Sequence, residues 1–424
     1  MDGAHVFVER KIAESVEKRA AFWTRDFSSP EAYAKSVEPN RTRFKTIIGV
    51  VDARLPAAME RYGDDTHPAL VAETPTYRVW QVRWPVLEGL WGSGLLVKPI
   101  SEPVAQAVLV PDAGQTPEQW LGLAPGLPPA AQAARRLAEN GFQLVLPITI
   151  SREKLATDDP QLRASDQTHR EWIYRQAFHM GRHIIGYEVQ TVLAAADWLR
   201  TQHGGGLPPS HNGGSVPLGM CGYAEGGQTA FYAAASDPRI AATLVSGYFD
   251  SRQRVWSEPI YRNVWGLLRE FGDAEIAGLI LPRPLVIEHS AVPDITGQKG
   301  EWHTPDFAGM QAEVQRIATG ALFPKPALVR SDGSAFCEEA LTAFASRLGV
   351  EKLAPLSAEI PADRRTAFNP SAREARYFHE MERHVQTLLQ ASDQVRDASF
   401  LYKIMPELAD NTWSTQRRHP EQSA

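Results

Sequence analysis

The spacing of hydrophobic positions changes twice along the chain. From about Val6 to Glu60 apolar residues recur at helical intervals among charged ones, as in Ile12, Val16, Ala20 and Trp23, and predict a helical lead-in. Short runs rich in aromatic and β-branched residues follow, Tyr77 to Val82 and Gly94 to Val97, and predict antiparallel strands at a sheet edge. From Ala105 the rhythm becomes strand, helix, strand: Ala105 to Pro111 ends in Asp112, Ala113 and Gly114, Ala130 to Ala138 reads as a helix closed by Asn140-Gly141, and Gln143 to Pro147 is again apolar. Connections of that length predict parallel pairing with crossover helices.

The alternation continues. His169 to Arg200 carries an apolar stripe through Ile184, Ile185, Val189, Val192, Leu193, Ala196 and Leu199, followed by a loop from His203 to Pro209. Val216 to Cys221 reads as the central strand, Gly222 to Gly227 as a glycine-rich turn, Gln228 to Ala235 as a helix, and Ala241 to Ser246 as the next strand. Leu285 to Glu288 and Ala327 to Arg330 are two further short strands. From about Ser357 the chain turns charged, Ser371 to Ser392 reads as a polar helix, and Trp413 to Ala424 reads as disordered. The fold class is therefore α/β, a mostly parallel sheet with helices on both faces. We divide it into an N-terminal helical extension (1–70), a core (71–350) and a C-terminal helical appendage with its tail (351–424).

Composition narrows the function classes. With 44 basic and 50 acidic residues the formal charge is -6, which does not suit nucleic acid. Cys221 and Cys337 supply neither a disulfide framework nor metal-ligand spacing and read as buried thiols, so neither a metal site nor a cofactor is expected. No run approaches the roughly 18 apolar residues of a membrane span, and the start lacks a signal region. The expectation is a soluble, cytoplasmic chain with no membrane partner. Export stays open to a precursor whose signal peptide was removed.

The chemistry-bearing stretch is Gly219-Met220-Cys221-Gly222-Tyr223-Ala224-Glu225-Gly226-Gly227-Gln228. It has the layout of a nucleophile elbow, in which a strand turns sharply into a helix and flanking glycines let the backbones pass. With Asp237-Pro238-Arg239-Ile240 downstream, the chain resembles the dienelactone hydrolase and acetyl xylan esterase branch of the α/β-hydrolase superfamily, over roughly Tyr77 to Leu348. The resemblance implies a serine or cysteine at the elbow, a histidine after the last core strand and an acid that orients it. Here the elbow holds Ala224, a degenerate nucleophile position, and Ser331-Asp332-Gly333-Ser334-Ala335-Phe336-Cys337 contains no histidine. The nearest candidates in sequence are His303, His379 and His384. Loss of both groups favours a degenerate triad over replacement of a single serine.

Glu225 follows the elbow centre, where the backbone N–H helps form the oxyanion hole, and its side chain reads either as a helix cap or as one of two carboxylates over a pocket, with Glu288 or Asp294 as the second. Asp112 and Gly114 stand where the family supplies its second oxyanion donor, and with Tyr223 they are the candidate ligand contacts. An unpaired Asp112 would oppose a developing oxyanion. Arg182, His183 and Glu188 read as structural hydrogen-bonding residues, and Tyr248, Phe249, Trp256, Tyr261 and Trp265 as an aromatic cluster under a loop or at a lid. The long lead-in, the elbow and the polar tail with His384 and Arg396 also resemble the first half of tandem bacterial α/β-hydrolase proteins, which implies a pseudoenzyme domain beside an active one. The sequence thus leaves two readings. One is a non-catalytic esterase-like domain that binds a small-molecule or carbohydrate ligand, or docks on a second α/β-hydrolase domain or another copy of itself. The other is an active hydrolase of carbohydrate esters or glycosides.

Overall fold

A computed structural model describes residues 2–155, 167–202, 216–296, 300–321 and 323–406. The loop expected at His203 to Pro209 and the tail from Trp413 lie outside them. Ten strands form one sheet: β1 (Glu60–Arg61), β2 (Leu70–Glu73), β3 (Tyr77–Leu87), β4 (Leu90–Pro99), β5 (Ala105–Val110), β6 (Phe142–Pro147), β7 (Leu218–Tyr223), β8 (Ala242–Ser246), β9 (Leu285–His289) and β10 (Ala327–Arg330). The order is β1-β3-β4-β6-β5-β7-β8-β9-β10, with β2 also on β3. From β6 to β10 every pairing is parallel, while β1 to β4 form an antiparallel edge.

Alternation along the buried strands feeds two cores. In β5, Val108 and Val110 face one hydrophobic cluster while Ala107 and Leu109 face the other. The first cluster is covered by helices Pro30–Ile47, Ile184–Gln202, Glu225–Ser236 and Asp273–Ile280, and the second by Ala133–Glu139 and Glu338–Ser346. Cys221 is fully buried in β7, but Cys337, expected to be buried, is only partly so because it starts the last of these helices.

Both flanking segments are tied to the core. Arg41, on Pro30–Ile47, donates to the carbonyls of Ala235 (2.6 Å) and Leu279 (2.9 Å). On the C-terminal helix Pro370–Arg396, Arg373 grips the buried Glu118 carboxylate with two bonds of 2.9 and 2.8 Å. β5 and β7 are neighbours, but β5 leads on to β6 at one side and β7 to β8 at the other. Such a reversal opens a crevice at the carboxyl ends of the strands. Asp112 follows β5 there and Ala224 follows β7.

Candidate functional site

The elbow exists for steric reasons that can be read atom by atom. A Cβ at Gly222 would lie 2.0 Å from the Gly226 carbonyl oxygen, and one at Gly226 would lie 2.0 Å from that of Val110. Strand and helix therefore meet at a separation only glycine allows. The turn forces Ala224 to φ 55 and ψ -115, strained for a residue with a side chain, and costs about 1–3 kcal/mol. The Ala224 N–H donates to the Ser246 carbonyl at 3.0 Å and helps hold that geometry. Its methyl group is fully buried against Val292 and Trp302, with Tyr223 and Ile295 beside them.

Beside the elbow an internal carboxylate occupies the anion cradle. Asp112, 1 % exposed, accepts bonds from both ends of the Arg152 guanidinium (2.7 and 2.5 Å), from the Gly114 N–H (3.0 Å) and from the Glu225 N–H (3.2 Å). The last of these is the amide that would stabilise an oxyanion in an active elbow of this kind. The carboxyl group anticipated at Asp112 is thus paired with Arg152.

Glu225 does not cap its helix with its side chain. That carboxylate is buried among three guanidiniums, Arg262 at 2.7 Å, Arg152 at 3.6 Å and Arg170 at 4.0 Å. The attraction to these three cations is largely Coulombic, with Arg262 close enough to add a hydrogen bond. Burial pushes the Glu225 carboxyl up, but Arg262, Arg170 and Arg152 outweigh it and hold it at about 2. The arginines have further partners: Arg170 bonds Glu188 at 2.7 and 2.9 Å, and Arg262 meets Glu258 at 2.5 Å. The Trp302 ring covers the cluster, 4.0 Å from Arg262 and 5.5 Å from Arg152.

The other carboxylates stand apart. Glu288, fully buried, accepts the backbone N–H groups of Phe336 and Cys337, each at 2.7 Å, and so splints the loop in which a histidine was sought. Asp294 is 70 % exposed and hydrogen-bonded to His303. Among the described residues no contact joins Glu225, Glu288 and Asp294 into a pair over one pocket. His379 is exposed and contacts Glu382, and His384 bonds the Glu88 carbonyl at 2.9 Å. Among the described residues the hydrogen bonds of the three candidate histidines go to Asp294, Glu382 and Glu88, not to the residues around Ala224.

Of the candidate ligand contacts, Tyr223 donates its hydroxyl to the Ala291 carbonyl (2.7 Å) and lines an apolar cavity of about 340 Å³ with Trp120, Val292, Pro293 and Phe336. Gly114 lines another of about 330 Å³ beside Ser151 and Arg152, and Gln115 borders both. Arg182 bonds Asp52 (3.1 and 2.6 Å), and His183 donates to the Asn263 carbonyl (3.0 Å). Tyr248, Phe249 and Tyr261 belong to the core, while Trp256 and Trp265 are exposed.

The sheet order, the strained turn after β7 and the amide that follows it decide the architecture. This is the α/β-hydrolase fold. No family model matches the chain, and no curated protein matches it in sequence. Solved structures similar to it include a glucuronoyl esterase from Solibacter usitatus (13 % identity, TM-score 0.47, covering 75 % of this chain and 93 % of that one). Another glucuronoyl esterase, from Teredinibacter turnerae, gives 13 % identity and a TM-score of 0.45 over 74 % and 85 %. Acetyl xylan esterase 1 from a Thermoanaerobacterium species gives 14 % and 0.43 over 78 % and 97 %. At these values nothing about chemistry transfers to this chain.

Sequence reasoning assigned no role to Arg152, Arg170, Arg262 or Trp302. Only Asp112 offered a signal, since a buried acid beside an elbow needs a cation.

Proposed function

We propose that this α/β-hydrolase-fold chain is an esterase-like pseudoenzyme, a non-catalytic domain that binds a ligand or docks on a partner. The observation that carries the reading is the Asp112 carboxylate seated on the Glu225 amide and gripped by Arg152. A substrate carbonyl oxygen would have to displace that carboxylate before any charge could develop on it. Ala224 offers no lone pair for attack, and its methyl group packs against the apolar side chains of Val292 and Trp302. The cavity beside Tyr223 suits an apolar or carbohydrate-ester ligand, and a second hydrolase domain or another copy of the chain is the docking partner this reading favours.

The alternative, glycoside hydrolysis through Glu225 and a second carboxylate, needs one carboxyl group that exchanges a proton near the working pH. Glu225, buried and held ionised down to about pH 2, is unsuited to that task.

The test compares the chain with Ala224→Ser on short acyl p-nitrophenyl esters and an acetylated sugar. We expect both proteins to fold and neither to exceed background by more than about tenfold, since the oxyanion donor alone is worth on the order of 10²–10³ in rate. Turnover restored by orders of magnitude in the serine variant would overturn the proposal.

A further inference from the structure

A cleft of about 600 Å³, larger than either cavity beside the elbow, lies at the antiparallel edge of the sheet between β1, β3, β4 and the first turns of helix Pro370–Arg396. It shares no lining residue with the group around Ala224. Its volume falls in the range of about 300–1,000 Å³ that takes a small organic ligand.

Several of its polar walls are already engaged. Asp64 accepts from the backbone N–H groups of Thr66 (2.8 Å) and His67 (2.7 Å). Gln81 accepts from Arg365 (3.0 Å), Arg373 is bound to Glu118, and Arg83 pairs with Glu60. Other groups are not engaged in this way. The Glu380 carboxylate has Arg83, Arg383 and Arg376 as electrostatic neighbours but no hydrogen-bond partner among the described residues. Arg376 is exposed at the rim, and neither its guanidinium nor the Trp91 indole N–H has a hydrogen-bond partner among the described residues. The hydroxyls of Tyr62 and Ser93 lie 3.1 Å apart and can share donors and acceptors with a third group. Trp91 and Phe368 stand half-buried in the walls, with Arg83 5.0 Å from one ring and Arg365 3.5 Å from the other.

That inventory selects a ligand chemistry. Aromatic faces bind the C–H face of a ring, a carboxylate with no hydrogen-bond donor accepts hydroxyl protons, and a guanidinium with no acceptor donates to ring and hydroxyl oxygens. A phosphate-bearing ligand fits less well, because Arg83 and Arg373 already hold carboxylates and Glu380 opposes Arg376. We infer that this edge cleft binds a neutral oligosaccharide, with one sugar ring lying on Trp91 and its hydroxyls shared between Glu380, Arg376 and the Tyr62–Ser93 pair. The inference is independent of the elbow, so its failure would leave the proposed function standing.

Calorimetric titration of the whole chain with xylotriose, cellotriose, maltotriose and chitotriose, and with AMP as the anionic comparison, provides the test. At least one trisaccharide should bind saturably with a Kd of ~0.1–10 mM, and AMP should bind more weakly. Trp91→Ala and Glu380→Gln should each weaken binding by about tenfold or more. Arg376→Ala, a rim change that leaves the core untouched, should weaken it by roughly threefold. Failure of all four sugars to bind, unchanged binding in Trp91→Ala, or tighter binding of AMP would overturn the inference.

Discussion

Exchange of Glu225 for glutamine keeps the side chain's shape and removes one negative charge from among Arg262, Arg170 and Arg152. The folded protein holds this carboxyl at about 2 against an ordinary 4.5. That gap corresponds to about 3 kcal/mol of stability at neutral pH, of the same order as the cost of removing one partner from a buried ion pair. Because the folded pKa is the lower one, the contribution is complete well above 4.5 and is lost as pH falls towards 2. By pH 4 roughly 1 kcal/mol of it has gone. Glu225→Gln should therefore be about 3 kcal/mol less stable than the parent at pH 7, and the difference should narrow by roughly 1 kcal/mol at pH 4. His183, whose pKa burial lowers to about 4, titrates in both proteins and cancels from the comparison. Urea unfolding followed by tryptophan fluorescence, fitted with a common slope, measures both differences. A variant as stable as the parent, or a difference that ignores pH, would show that the three arginines do not depend on this carboxylate.

The remaining predictions concern neighbouring parts of the site. Asp112→Ala should cost about 3 kcal/mol, and acetate at tens of millimolar should raise the melting temperature of the variant but not of the parent, because the emptied cradle takes an external carboxylate. Gly226→Ala should abolish folding or cost more than about 3 kcal/mol, read by circular dichroism, since its Cβ would meet the Val110 oxygen at 2.0 Å. Glu288→Ala, which strips the acceptor from the Phe336 and Cys337 amides, should cost roughly 2–4 kcal/mol and speed hydrogen exchange at those two residues first.

Much of the fold was legible because it follows local rules. Glycines at 222, 226 and 227 announce a strand-to-helix crossing, and the spacing of apolar runs from Ala105 onward announces the parallel block. The edge was read too short: β3 runs on to Leu87 where the sequence reading stopped at Val82. Pro85 lies past Arg83 and Val82, the residues of β3 that β1 pairs, so its missing N–H leaves no gap in that ladder. The site was legible only in what it lacks. Ala224 is visible in one line of sequence, whereas the bond from the Glu225 amide to Asp112 spans 113 residues and the arginine cluster is assembled from three separate segments. Nothing in local spacing encodes such convergence, and Glu225 therefore read as a helix cap or as one of two carboxylates over a pocket.

The anchoring of the lead-in by Arg41 also bears on how the chain is made. The two carbonyls it binds lie 194 and 238 residues downstream, so the first helices leave the ribosome long before their docking surface exists. At roughly 5–20 residues per second, Tyr33, Val37 and Phe44 wait about 10–50 s with their apolar faces uncovered. The N-terminal segment is synthesised first and can settle only once the rest of the core has followed it.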